Sequence, residues 1–147
     1  MPRASPPSLV TLKPDRLGRT ALHYAAAASD ASEVDRLLRL QMDANAQDRN
    51  GWAPLHFAAQ ANSIEVTELL LRSGAAVDIP DEHGNTPLFR AVFGYSSSGQ
   101  IIQALRMAGA DPHRLNKHGV CPLELARTIA NTDVAKFFQD LSAAGEA

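Results

Sequence analysis

Residues 48–80 read DRNGWAPLHFAAQANSIEVTELLLRSGAAVDIP, and the same pattern precedes this stretch once and follows it twice. Asp48-Arg-Asn-Gly51 is a tight-turn sequence, with glycine where a positive φ is needed and an aspartate that can bond its own backbone two residues on. Pro54 suits the first position of a helix, and Leu55, Phe57, Ala58 and Ala59 give that helix a short apolar face. A second helix carries Ile64, Val66, Leu69, Leu70 and Leu71 and ends at Arg72-Ser73-Gly74, a basic last turn followed by a glycine. The stretch therefore predicts a turn and two antiparallel helices.

Gly18, Gly51 and Gly84 lie 33 positions apart and Gly119 follows after 35, so the chain is periodic. A helical hairpin of that size cannot bury its own apolar face, and neighbouring copies must stack. The segments GRTALHYAA, GWAPLHFAA, GNTPLFRAV and GVCPLELAR stand in register. With the leucine-rich second helix, they resemble the ankyrin repeat from about residue 15 to residue 141. The fold this resemblance implies is an all-α solenoid of four stacked helix-turn-helix repeats, with β-turn or hairpin fingers and polar terminal caps. Its expected boundaries are an extended lead-in over 1–14, repeats at 15–47, 48–80, 81–115 and 116–141 in a single domain, and a frayed tail over 142–147.

Composition narrows the function. The formal net charge is −2, which provides no global basic field for phosphates and argues against nucleic-acid binding. The N-terminus lacks an apolar signal core and no apolar run reaches bilayer length, so no membrane association is expected. The single cysteine, Cys121, cannot pair internally and fits a reducing, cytoplasmic setting.

The repeats differ in informative ways. In repeat 1, Glu33 and Arg36 stand where repeat 2 has Val66 and Leu69, as a solvent-facing cap requires, and Gln41 replaces the terminal glycine. Ala53 replaces the threonine of Thr20 and Thr86 at a helix N-cap. In repeat 3, Phe89 takes the histidine place, Arg90 takes a usually apolar place, and Tyr95-Ser-Ser-Ser-Gly99 adds two residues between the helices. Repeat 4 has Cys121 at the cap position and Glu124 in the histidine place, and Val134, Phe137 and Phe138 are expected to face inward. Leu9, Val10 and Leu12 of the lead-in could lie on the first repeat.

No constellation for chemistry is legible. For His23 and His56 the resemblance implies structural hydrogen bonds between the turns of adjacent repeats. His83, His113 and His118 fall on turns at spacings that match no zinc site. Cys121 precedes Pro122 at a helix start, where a small cap substitute is the simpler reading than a nucleophile. No catalytic residue, cofactor or metal is expected, and the chain is read as a non-enzyme.

What remains is a surface for another protein. The turn tips and the exposed side of each first helix place Arg16, Leu17, Arg19, Arg49, Asn50, Trp52, Gln60, Glu82, His83, Asn85, Phe93, Lys117, His118 and Val120 on one face, and Tyr95 and Arg90 extend it. Trp52 is expected to be an interface anchor whose truncation leaves the fold intact, although a tryptophan lying over neighbouring turns fits the same position. Phe93 has a second reading in the core. The stretches GWAPLHFAAQANSIEVTELLL, GNTPLFRAVF and GVCPLELARTIANTDVAKFF also resemble short bacterial ankyrin-repeat proteins encoded beside polymorphic toxins as their immunity partners. That resemblance implies an inhibitor that covers a cognate toxin or effector, with a general adaptor or stabiliser as the alternative. Polar caps at both ends argue for a monomer before the partner binds.

Overall fold

The computed structural model describes residues 13–95, 99–129 and 133–141. Leu9, Val10 and Leu12 of the expected lead-in, the serines of the repeat 3 insertion and the expected frayed tail lie outside the described residues.

The chain forms helices α1 (Ala21–Ala27), α2 (Ala31–Arg39), α3 (Pro54–Gln60), α4 (Ile64–Arg72), α5 (Pro87–Phe93), α6 (Gln100–Met107) and α7 (Pro122–Thr128), then a short 3-10 helix at Val134–Phe138. Helices of seven to nine residues are marginal alone and depend on packing. The odd-numbered helices pack in one layer, the even-numbered in a second, and each pair is joined as a hairpin. Equivalent leucines stack from unit to unit: Leu22, Leu55 and Leu88 in the first layer, and Leu37, Leu70 and Leu105 in the second, are fully buried.

The tight links between paired helices need a left-handed residue, supplied by Ser29 (φ 58°) and Asn62 (φ 58°). Tyr95 stands at the corresponding place in the third unit, where the insertion replaces that single-residue link and α6 begins after Gly99. At the ends of the second helices, Gln41 adopts φ 67° in the slot of Gly74 (φ 92°) and Gly109 (φ 100°), so the glutamine keeps the same turn under strain.

Each finger is organised by one Asx side chain. Oδ1 of Asp15, Asp48, Asp81 and Asn116 accepts from the N–H groups two and four residues on, at 2.8–3.0 Å. Adjacent fingers are then linked through the main chain. The N–H of Arg49 donates to the carbonyl of Leu17 (2.9 Å), Glu82 to Asn50 (2.9 Å) and Lys117 to His83 (2.8 Å). One bond at each junction is too few for a ladder, and no strand forms among the described residues, so the fingers are turns where hairpins were an alternative. The close approach explains Gly51 (φ 79°), since a Cβ there would come within 2.7 Å of the Glu82 nitrogen.

The end units differ. On α2, the Arg36 guanidinium grips Glu33 with two bonds of 2.9 and 2.7 Å, closing the polar flank of the first unit. After α7 the second helix of the pattern is reduced to the 3-10 helix, with Val134 and Phe138 fully buried and Phe137 only half-buried. Asp140 is exposed at this end, and Arg106 of α6 binds it with two hydrogen bonds of 2.9 and 2.8 Å that tie the segment down.

Candidate protein-binding face

The finger tips present two equivalent slots per unit. The first holds Arg16, Arg49, Glu82 and Lys117, and the second holds Leu17, Asn50, His83 and His118; all eight are exposed. The main-chain bonds between fingers set the backbone at these positions in a row. The His83 and His118 rings lie 6.0 Å apart, and Nε2 of His83 is 3.8 Å from a Glu82 oxygen.

Behind the tips, the remaining oxygen of each finger carboxylate is also used. Oδ2 of Asp15 accepts from the Tyr24 hydroxyl, Asp48 pairs with Arg19 (3.2 Å), and Asp81 pairs with Arg90 (2.9 Å). In the fourth finger the Asn116 amide donates to Oδ1 of Asn85 at 2.8 Å. Burial pushes the Asp81 carboxyl up, yet the Arg90 guanidinium and the N–H groups of Asn85 and His83 bring it below the usual carboxylate range. It stays charged in the fold.

Along the inner helices, one slot holds Tyr24, Phe57, Arg90 and Leu125, and another holds Ala27, Gln60, Phe93 and Thr128. Rings and guanidinium groups alternate across them. Arg19 lies over Phe57 (5.1 Å) and Tyr24 (5.9 Å), Trp52 is 4.8 Å from Phe57, and Arg90 lies 4.4 Å above Trp52. Phe93 stands out from this layer, 65% exposed, and Tyr24 is 46% exposed. Gln60 is exposed beside them.

Several residues assigned to the face from sequence are committed to the scaffold. Asn85 is buried; its carbonyl accepts from His56 and its side chain from Asn116, so it offers no surface. Arg90 is mostly buried between Asp81 and Trp52, with its Nε enclosed and unbonded, and is not open to a partner's carboxylate. Tyr95 does not extend an aromatic patch with Phe93. Its hydroxyl donates to Asp133 (2.8 Å) and its ring meets Phe137 (5.8 Å). Trp52 is half-buried, as its alternative reading had it, so truncating it would disturb the packing of its neighbours. Phe93, in contrast, is outside the core. Tyr24 was missed because its slot reads as core in Phe57, and the signal was the 33-residue spacing between the two aromatics.

His23 and His56 sit inside the stack. Nδ1 of His23 accepts from the N–H of Thr20 (2.9 Å) and Nδ1 of His56 from that of Ala53 (3.0 Å), which leaves Nε2–H to donate to the carbonyls of Trp52 and Asn85, each at 2.9 Å. What alanine at position 53 leaves out is a side-chain acceptor for the N–H three residues on, which Thr86 supplies to Phe89 in the next unit. Burial lowers the pKa of both imidazoles and keeps them neutral. Cys121 is buried with Sγ 3.9 Å from a Glu124 oxygen. No group of three or more His, Cys, Asp or Glu able to hold a metal occurs among the described residues.

A family description of ankyrin repeats in three copies matches residues 22–116. The chain belongs to the ankyrin-repeat family. No curated protein matches it. Ankyrin repeats are in general protein-binding modules, and the matched copies span α1 to α6 and reach the fourth finger at Asn116. The ankyrin stack thus carries a rigid row of finger tips beside an aromatic and arginine layer. Among the described residues, no helix is long and apolar enough to cross a membrane.

Proposed function

We propose that this ankyrin-repeat chain is a non-enzymatic inhibitor that neutralises a toxin or effector in the cytoplasm by covering it with the finger tips and inner-helix face. The observation that carries the binding face is Phe93. It is a large apolar ring, 65% exposed, one turn along α5 from Arg90, which packs over Trp52 in the layer that Phe57 completes. An exposed aromatic on a pre-organised support loses little freedom on association and makes an efficient anchor. The finer assignment to toxin immunity rests on the resemblance of the three stretches quoted above, and on a mode of action that asks only for coverage of a partner's cleft. A fourth unit built from α7 and the 3-10 helix would complete the array.

The experiment is co-expression with the product of the neighbouring reading frame. Growth arrest by that product alone, relieved by this chain but not by its Phe93→Ala variant, is the expected result. A product that is harmless, and that loses solubility without this chain, would establish the adaptor or stabiliser reading instead. Purified proteins that fail to associate would refute both.

A further inference from the structure

We propose that the row of finger tips recognises an acidic segment of the protein partner; this rests on the binding reading above and names the chemistry of the surface that fits it. Arg16, Arg49 and Lys117 fill the same slot of the first, second and fourth fingers, and all three are exposed. Among the described residues, none of the three is in an ion pair. The aspartates that organise the first three fingers are already engaged, Asp15 with Tyr24, Asp48 with Arg19, and Asp81 with Arg90, which leaves Glu82 as the exposed acid within the row. The three tip cations therefore project beyond a layer in which Asp48 and Asp81 are paired with arginines and Asp15 is held by a hydroxyl.

The chain as a whole is formally −2, and the second-layer side carries the acids Asp30, Asp35, Asp43, Glu65, Glu68 and Asp78 interspersed with Arg36, Arg39, Arg72 and Arg106. A row of unpaired cations on a protein with no net positive charge orients an acidic partner toward that edge, which raises specificity and encounter rate more than affinity. The register of the row comes from the backbone bonds Arg49 to Leu17, Glu82 to Asn50 and Lys117 to His83, so the backbone positions that carry the charges are spaced before binding.

The third finger marks the kind of acid that fits. Glu82 breaks the row, beside His83. A nucleic-acid backbone carries a charge at every nucleotide and would meet this carboxylate head-on, whereas a protein segment can space its own carboxylates to avoid it. Leu17, 49% exposed beside Arg16, adds an apolar contact suited to a polypeptide.

The test uses the whole chain and fluorescence anisotropy of a labelled glutamate-rich peptide, compared with its glutamine counterpart and with a single-stranded oligonucleotide of equal charge. The glutamate peptide is expected to bind, to weaken as salt rises through the physiological range, and to lose about tenfold or more with the triple variant R16E/R49E/K117E. Glu82→Lys completes the row and is expected to tighten binding about threefold, a gain that misfolding cannot produce. Equal binding of the glutamine peptide, tighter binding of the oligonucleotide, or indifference to Glu82→Lys would overturn the proposal. A protein partner that still binds the triple variant at full strength, yet is lost with Phe93→Ala, would sink the charge assignment alone and leave the binding reading standing.

Discussion

Nε2 of His56 lies 2.9 Å from the carbonyl oxygen of Asn85, so a side chain of one repeat latches the first turn of the next. The same latch joins His23 to the carbonyl of Trp52, and both rings need a bare Nδ1 to accept from the backbone. As the pH falls through the ordinary histidine range near 6.5, the unfolded chain takes up protons that the folded chain resists, because burial lowers both pKa values. Stability from these groups is complete above that range and is lost as the pH drops toward the folded values. The thermal midpoint is expected to be lower at pH 5.5 than at pH 7.5, with a shallower difference in His56→Gln. A midpoint equal at both pH values in the unmodified chain would contradict the latch.

Thr67 is fully buried on α4, with no partner for its hydroxyl, where the equivalent residues of α2 and α6 are Val34 and Ile102. Thr67→Val removes a desolvated polar atom while keeping the shape, and is expected to stabilise the array by about 1 kcal/mol. Chemical denaturation would show a higher midpoint with an unchanged slope.

At the third unit, the ring of Phe137 occupies the place a side chain on Gly99 would take, with Cζ 2.1 Å from an added Cβ. The glycine has φ −91°, which any residue adopts, so the constraint is the ring alone. Gly99→Ala is expected to cost about 1–3 kcal/mol by overpacking. Adding Phe137→Ala should recover part of that loss, and strictly additive costs in the double variant would place the strain elsewhere.

The third junction lacks a histidine latch, since Phe89 cannot donate to the carbonyl of Val120 as His56 donates to that of Asn85. Hydrogen exchange is therefore expected to be faster in α7 and the 3-10 helix than in α3 and α5, with the terminal segment held mainly by the Arg106–Asp140 pair and the burial of Phe138. Equal protection across the four elements would show that packing alone fastens the last unit.

Phe93→Ala and Trp52→Ala separate surface from scaffold. Phe93 is 65% exposed, so its truncation should leave stability within about 0.5 kcal/mol while weakening partner binding by about 2 kcal/mol. Trp52 contacts His56, Phe57 and Arg90, and its truncation should lower the unfolding midpoint as well. Calorimetry on the two variants before any binding assay would distinguish them. Matching midpoints would return Trp52 to the role of a pure surface anchor.

The period of the glycines, the leucine columns, the paired-helix pattern and the two scaffold histidines were all legible in the chain, because a repeating fold imposes the same local demand at every copy. The partly occupied face was less legible. Asn85, Arg90 and Tyr95 occupy repeat positions that point toward the partner side, yet each is spent on a bond to the protein itself: Asn116, Asp81 and Asp133. Those bonds span from 9 to 38 residues and differ from unit to unit, so no period announces them. Sequence alone determined the stack, since burying a helical hairpin's apolar side requires neighbours of the same kind. Only the tertiary structure decided which polar and aromatic side chains remain available to a partner, because availability depends on what stands across the gap between repeats.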